Sequence, residues 1–353
     1  MENARQLAES IKKLLSHTAL FPGSDLWTFI IANPCAGGFT RPGTWKKHQT
    51  ELKELETEAA ALPSRPEKLA VELYLTERPK HAQELTQAIL TRVAGFQEGQ
   101  KALIVTAGGD GTSLEVMTVL VDASPKTRDL VTILRLPMGT GNDGSDGWTL
   151  QESLGRLLRP ARFAKRRAIF ALIPGLEGKR YAFNIASLGL DAYVTHMTNE
   201  LKGKHPGDTY KLWLNVATLL YDKTFKVSAM HLWILGPDDK PVSEYIEPYL
   251  LVAFGESGHR TYGSHTHILP DNRNLIFIRQ MSLFRKMALS AQCQKGTQAK
   301  SPEVRMATAD KIKVDYKGEI LIQFDGEAIL LRPENFPLTL ERTEPLINVI
   351  EYA

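Results

Sequence analysis

The chain has 353 residues, 43% hydrophobic and 24% charged, enough to bury a sizeable core and to divide into two domains. Its formal charge of +3 is too small to make nucleic acid the main partner, so any basic patch has to act locally, on an anionic substrate or a membrane surface. The two cysteines, Cys35 and Cys293, lie far apart without the spacing that holds structural zinc, which fits a reducing cytoplasm.

In chain order, "MENARQLAESIKKLLSHTALFPG" sets apolar and charged residues at helical spacing and lacks the unbroken apolar core of a signal peptide. Its stripe of Leu7, Ile11, Leu14 and Leu15 either packs onto the domain or lies on a membrane. No later segment offers the roughly twenty apolar residues needed to cross a bilayer. "LWTFIIANP" reads as a buried strand ending in a turn at Asn33-Pro34, and "LAVELYLT" as a second strand. A helical stretch "RPKHAQELTQAILTRVAGF", a short strand "ALIVT", a helix "SLEVMTVLVD" and a strand "VTILRLP" follow. This alternation predicts a parallel sheet covered on both faces, with functional loops at the carboxyl ends of its strands.

Past residue 165 the rhythm changes. "RAIFALI" and "RYAFNIAS" are strand-like, helices are expected near 192–200 and 210–221, and strands dominate from "KVSAMHLWIL" through "AILLRP". Such a series fits an antiparallel sandwich. The basic run Arg156, Arg159, Arg162, Lys165, Arg166 and Arg167 contains no acidic residue and reads either as a solvated helix face or as a lure for anionic headgroups.

Three strand ends in the first half carry unusual turns: "NPCAGG" at 33–38, "GGDGT" at 108–112 and "GTGND" at 139–143. Gathered at one sheet edge they would surround a single crevice, where glycines let backbone N–H groups approach phosphate and a helix starting near Thr112 adds its positive end. Asp110 and Asp143 repel phosphate directly, a conflict that a divalent metal or its water shell removes. Neither a Walker A loop nor a GxGxxG fingerprint is present, so the cradle is of another type.

"GGDGTSLE" at 108–115, "LPMGTGND" at 136–143, "NIASLGLDA" at 184–192 and "FDGE" at 324–327 together resemble, in order, the motifs of the diacylglycerol kinase catalytic-domain family, which includes bacterial lipid kinases and sphingosine kinases. The resemblance implies an α/β nucleotide-binding domain with a parallel sheet, residues 1–164, and a β-rich sandwich domain for lipid binding and catalysis, residues 165–353, with ATP and lipid meeting in a cleft. It assigns the nucleotide phosphates to Gly108, Gly109, Asp110, Gly111 and Thr112, with Asn33, Thr140, Asn142 and Asp143 lining the same site. Asp110 would organise Mg²⁺, Asp325 would be the general base that accepts a lipid hydroxyl's proton, and Glu327 a second acidic group or a metal contact. The implied protein is an ATP- and Mg²⁺-dependent lipid kinase in the cytoplasm, touching the inner membrane face transiently, with no nucleic-acid partner and a homodimer left open. An NAD kinase, which also carries GGDGT, and a nucleotide- or lipid-binding module without turnover are the alternatives.

Some positions depart from the pattern. Ala36 stands where the family's first loop has a serine, and Arg41, Lys46 or Lys47 would have to supply the basic residue that often follows. Asn272 replaces a glycine, which leaves a metal role for Asp271 in doubt, although asparagine tolerates a left-handed turn. "FDGE" alone also reads as a hairpin turn, His265 and His267 as a polar strand face rather than a zinc pair, and Cys35 as a small turn residue.

Overall fold

The computed structural model describes residues 1–64, 68–139, 141–201, 220–263 and 266–353. It forms two compact units, Met1–Arg166 together with Pro345–Ala353, and Arg167–Glu344.

In the first unit, β1 (Asp25–Ala32), β2 (Leu69–Leu75), β3 (Gln100–Gly108) and β4 (Val131–Pro137) are parallel and ordered β2-β1-β3-β4. β4 is buried along its whole length and β3 from Ala102 onward. Continuous apolar runs of this kind belong to strands covered on both faces. On one face, α1 (Glu2–Leu15) and α3 (Pro42–Ala60) share a core in which Leu7, Ile11 and Leu14 meet Trp45, Leu52 and Leu55. The N-terminal stripe is therefore core, not a membrane-facing surface. The sequence reading does not place α3, which begins with a proline in its first turn after the four-residue α2 (Gly37–Thr40). Helices α4 (His81–Val93) and α5 (Asp110–Val121) pack against each other, and α6 (Pro125–Arg128) and α7 (Leu150–Leu154) are short.

The basic run is not a helix face. Its second half is β5 (Ala161–Arg166), which pairs antiparallel with the chain's last strand, β19 (Ile347–Tyr352). Its charges are matched locally: Arg159 with Glu58 at 2.8 Å, Lys165 with Asp129 at 2.8 Å and Arg166 with Glu351 at 3.0 Å, while Arg156 donates to the Ile350 carbonyl at 2.6 Å. β19 also pairs parallel with β4. A boundary at 164/165 with everything beyond it in one domain thus gives way to a chain that returns, because the apolar "LINVI" completes the first sheet.

The second unit is antiparallel. It contains β6 (Ile169–Leu172), β7 (Lys179–Ala182), β8 (Ile185–Gly189), α8 (Leu190–Leu201), β9 (Ala229–Leu235), β10 (Pro241–Gly255), β11 (Arg260–Tyr262), β12 (Thr266–Leu269), β13 (Leu275–Arg279), α9 (Leu283–Lys295), β14 (Val304–Ala307), β15 (Lys311–Tyr316), β16 (Ile320–Phe324), β17 (Glu327–Leu331) and β18 (Leu338–Arg342). The long β10 pairs with β9 in its first half and with β8 and β13 in its second. Its burial alternates before Tyr249 and is continuous afterwards, since there both faces are covered. One face meets the core of Phe254, Phe277 and Ile322, and the other meets Leu289 and Cys293 of α9. The expected helix near 210–221 falls mostly outside the described residues, and the sequence reading does not place α9.

Candidate active site

Parallel pairing brings the carboxyl ends of β1, β3 and β4 side by side, and the three turns lock together there. Asn33 donates its N–H to the Ala107 carbonyl at 3.0 Å, and its side-chain oxygen accepts from Cys35 N–H at 3.0 Å. Gly38 N–H donates to the Met138 carbonyl at 2.8 Å, and a Cβ on Gly38 would sit 2.9 Å from Met138 backbone. Gly139 comes so close to Gly109 that an added Cβ would lie 2.6 Å from the Gly109 Cα. At Gly108 it would lie 2.4 Å from Thr112 Oγ1. These glycines are thus required by close approach, and α5 begins with its first N–H groups at the same edge.

Asp110 ties the second turn to the third: its Oδ2 accepts from Asn142 N–H at 3.1 Å and its Oδ1 from Gly144 N–H at 3.0 Å. Asn142 adopts a left-handed φ of 62° and closes its own turn with two bonds to Gly139. Beneath the turn, Arg135 of β4 and Asp146 form a buried ion pair at 2.7 Å, and Asp146 also accepts from the Arg135 N–H. Burial alone would raise the Asp146 carboxyl, but the Arg135 charge and its hydrogen bonds outweigh this and hold it below the usual range. Glu115, part of the sequence motif, accepts from the N–H groups of Lys80 and Ala82 and so caps the start of α4. Arg41 folds its guanidinium over Gly37 and makes no ion pair among the described residues, which places a positive charge at the loop where Ala36 offers no hydroxyl. Thr140 lies outside the described residues.

In the second unit, Asp325 and Gly326 form the two-residue turn between β16 and β17, both with positive φ (45° and 97°). "FDGE" is therefore a hairpin, and more: the Asp325 carboxylate reaches β8's approach and accepts from the N–H groups of Phe183 at 2.5 Å, Asn184 at 3.0 Å and Ile185 at 2.9 Å. A polar chain continues inward. Gly326 N–H donates to Gln323, Gln323 donates to Ser187, and Ser187 donates to Asp191 at 2.5 Å. The two late motifs thus form one network. Burial pushes the Asp191 carboxyl up to about 7, against the lowering pull of Ser187 and Gln323. Glu327 is exposed at the first position of β17.

Asp191 borders an apolar pocket of about 670 Å³, counting the space where it opens to solvent. Leu190, Leu250, Leu251, Ile268, Ile278 and Leu289 line it, with Lys286 and Cys293 from α9. The buried Lys286 ammonium bonds both oxygens of Asp222 at 2.6 Å, and burial pushes the Cys293 thiol up to about 12. The pocket's apolar lining is that of a site for an apolar group.

Three comparisons bear on these sites. Residues 28–169 match the family model "Diacylglycerol kinase catalytic domain". This stretch of the chain is thus similar to the catalytic domain of diacylglycerol kinases. The protein named "Putative lipid kinase YtlR" of Bacillus subtilis (strain 168) is 25% identical over 325 residues, spanning 87% of this chain and 94% of its own. A "Probable lipid kinase YegS-like" protein of Chromohalobacter salexigens is 34% identical over 112 residues, 31% of this chain and 34% of its own. The fold is shared with a solved structure titled "a putative diacylglycerol kinase from Bacillus anthracis str. Sterne", with a TM-score of 0.61 and 17% identity over 94% of this chain and 96% of that one. The expected resemblance is borne out, as is the pairing of a parallel-sheet α/β unit with an antiparallel β-rich one.

Within the first unit, the side chains themselves bear on a place for Mg²⁺. No group of three His, Cys, Asp or Glu gathers among the described residues, so those side chains alone do not build a closed metal cage. Asp110 and Asp143 nevertheless both lie against Gly141, where a Cβ would be 2.9 Å from one carboxylate and 3.5 Å from the other. One or two carboxylates completed by phosphate oxygens and water is the donor set that Mg²⁺ takes, so the residues fit.

Other candidates fall away. Asp271 is held by Arg273, and Asn272 is not left-handed; the positive φ in this region belongs to His259, which bonds Asn272 at 2.9 Å. His265 lies outside the described residues and His267 is exposed. Cys35 and Cys293 are free thiols, the first exposed and the second buried. Sequence reasoning missed Arg135, Asp146, Gln323 and Ser187. A charged Arg135 inside the apolar run "VTILRLP" was the signal for the first pair, because an ion in a buried strand requires a partner.

Proposed function

We propose that the protein transfers the γ-phosphate of ATP to the hydroxyl of a diacylglycerol-like or related lipid. The observation that carries this reading is the interlocked set of loops at Asn33, Gly108–Thr112 and Gly139–Asp143, which offers backbone N–H groups and two carboxylates at one sheet edge. Gly108, Gly109, Gly111 and Thr112 would receive the phosphates at the start of α5, with Asn33 and Asn142 beside them, and Thr140 shares the proposal through its place in the third motif. Asp110 and Asp143 would hold Mg²⁺, which when bound neutralises charge on the phosphate oxygens.

Asp325 is the proposed general base. Three amides fix its carboxylate, and a fixed acceptor is what a hydroxyl needs as it loses its proton in attacking phosphorus. Glu327, exposed beside it, is the second acidic group. The apolar pocket under Asp191 favours a lipid acceptor over NAD, whose phosphates and riboses call for polar lining. Cytoplasmic residence with transient contact at the inner membrane face belongs to the same proposal; no helix among the described residues is long and apolar enough to cross a membrane. A homodimer would be compatible with it.

The test is transfer of labelled γ-phosphate from ATP to a total lipid extract, with NAD as the parallel acceptor, for the wild-type chain and Asp325→Asn. A labelled lipid that disappears in the variant while ATP binding persists supports the reading. Label only in NAD, or ATP binding without transfer to any lipid, overturns it.

A further inference from the structure

The two surfaces that the sequence offered for membrane contact are used up: the N-terminal stripe is core and the basic run is paired. A third surface is not. Helix α9 turns Lys286, Leu289 and Cys293 inward to the apolar pocket, while Leu283, Phe284 and Met287 point outward, 36%, 84% and 55% exposed. These three are adjacent on the helix surface, since positions three and four apart share a face. A helix is only about 10 Å across, so one element separates the pocket from this apolar face.

The helix and its flanks leave two cations unmatched. From residue 279 to residue 300 the sequence holds five basic residues and no acidic one. Arg279, Arg285 and Lys286 are paired with Glu247, Glu303 and Asp222, but Lys295 and Lys300, at and just beyond the C-terminus of α9, are exposed and make no ion pair among the described residues. Three apolar side chains are far short of the roughly 800 Å² per partner that a stable protein interface needs. Insertion of a few apolar side chains into a headgroup layer has no such requirement, and basic neighbours add attraction to anionic lipid.

We infer that the outer face of α9 docks on an anionic phospholipid bilayer, with Phe284 and Met287 inserted and Lys295 and Lys300 over the headgroups. This rests on the lipid-kinase reading and deepens it: the wall of the acceptor pocket is itself the membrane anchor, so a lipid can pass from bilayer to pocket around one helix.

The experiment is co-sedimentation of the full chain, without ATP, with vesicles of phosphatidylcholine alone or mixed with phosphatidylglycerol, at low and high salt. The variants are Phe284→Ser/Met287→Ser and Lys295→Gln/Lys300→Gln. All four side chains are exposed, and unchanged thermal midpoints would show that the variants fold. Wild type is expected to bind the mixed vesicles in a salt-sensitive way, and the apolar double variant to bind about tenfold more weakly or worse. The lysine variant should lose most of the preference for phosphatidylglycerol. Phosphate transfer to lipid in detergent micelles should survive the apolar double substitution, while transfer to vesicle-borne lipid falls.

Wild-type vesicle binding by the apolar double variant overturns the inference. So does a wild-type chain that ignores anionic vesicles, or a dimer that the substitution dissociates while vesicle binding stays intact, which would assign the face to a second copy. Absence of phosphate transfer with normal, α9-dependent vesicle binding would instead defeat the kinase reading alone.

Discussion

Asp325 sits at a φ of 45°, a region that Asn and Asp enter readily and Ala does not. Asp325→Asn is therefore the clean probe of a general base: it keeps the turn and removes the basic oxygen. We expect kcat to fall at least about a hundredfold with the fold retained, as general-base contributions are typically of this order. A rate within a few fold of wild type would remove Asp325 from the mechanism. Gly139→Ala tests the other site. Its Cβ would meet backbone rather than a movable side chain, so the third loop must shift away from Gly109. Nucleotide affinity, read by calorimetry, should drop about tenfold or more on losing even one well-placed phosphate contact.

Asp191 makes a prediction in the pH dimension. Its folded value of about 7 stands above the ordinary 3.8, so between these the unfolded chain releases a proton that the folded chain keeps. Its contribution makes stability fall as pH rises through that window and level off above it. Urea unfolding of Asp191→Asn should show a smaller loss between pH 5 and pH 7 than wild type, since a neutral amide has nothing to ionise; an equal slope would mean that the carboxyl is already ionised when folded.

At the scale of elements, β1 to β4, most strands of the second unit and the glycine turns were readable because each leaves a local trace: period-two or continuous apolar runs, and Gly or Asn where the backbone turns sharply, whereas β5, β14, β18 and β19 were not read. The motifs singled out the turns, but not what holds them. That Asp110 braces the third loop through Asn142 and Gly144, or that Glu115 caps α4, depends on pairing between strands far apart in sequence. Helix α9 escaped because its outward Leu283, Phe284 and Met287 blur the amphipathic period. The Arg135–Asp146 pair was similarly hidden: its members are separated by the whole glycine loop. Breaking it with Arg135→Met should cost about 3–5 kcal/mol, measured by chemical denaturation, because a buried carboxylate is left uncompensated. As the Asp146 carboxyl is held low, the stability this pair supplies is complete above the ordinary aspartate range and is lost only as pH falls through its depressed folded value.

Over the whole molecule, the first unit is discontinuous, and its sheet has β19 inserted between β4 and β5. A chain ending at residue 344 would strip β4 of one neighbour and leave β5 without any strand partner. We expect such a chain to lose nucleotide binding and the protease resistance of the first unit while the second unit, Arg167–Glu344, keeps a cooperative thermal transition. Two unaltered transitions would show β19 to be dispensable. The same returning strand sets an order of events during synthesis. Although the residues of the glycine loops leave the ribosome early, their sheet cannot close until β19 has emerged, whereas the inserted unit is complete sooner. A chain interrupted between the inserted unit and β19 would then carry a finished apolar pocket and an unfinished first sheet, so the proposed phosphate cradle depends on a strand that is made after the whole of the other unit.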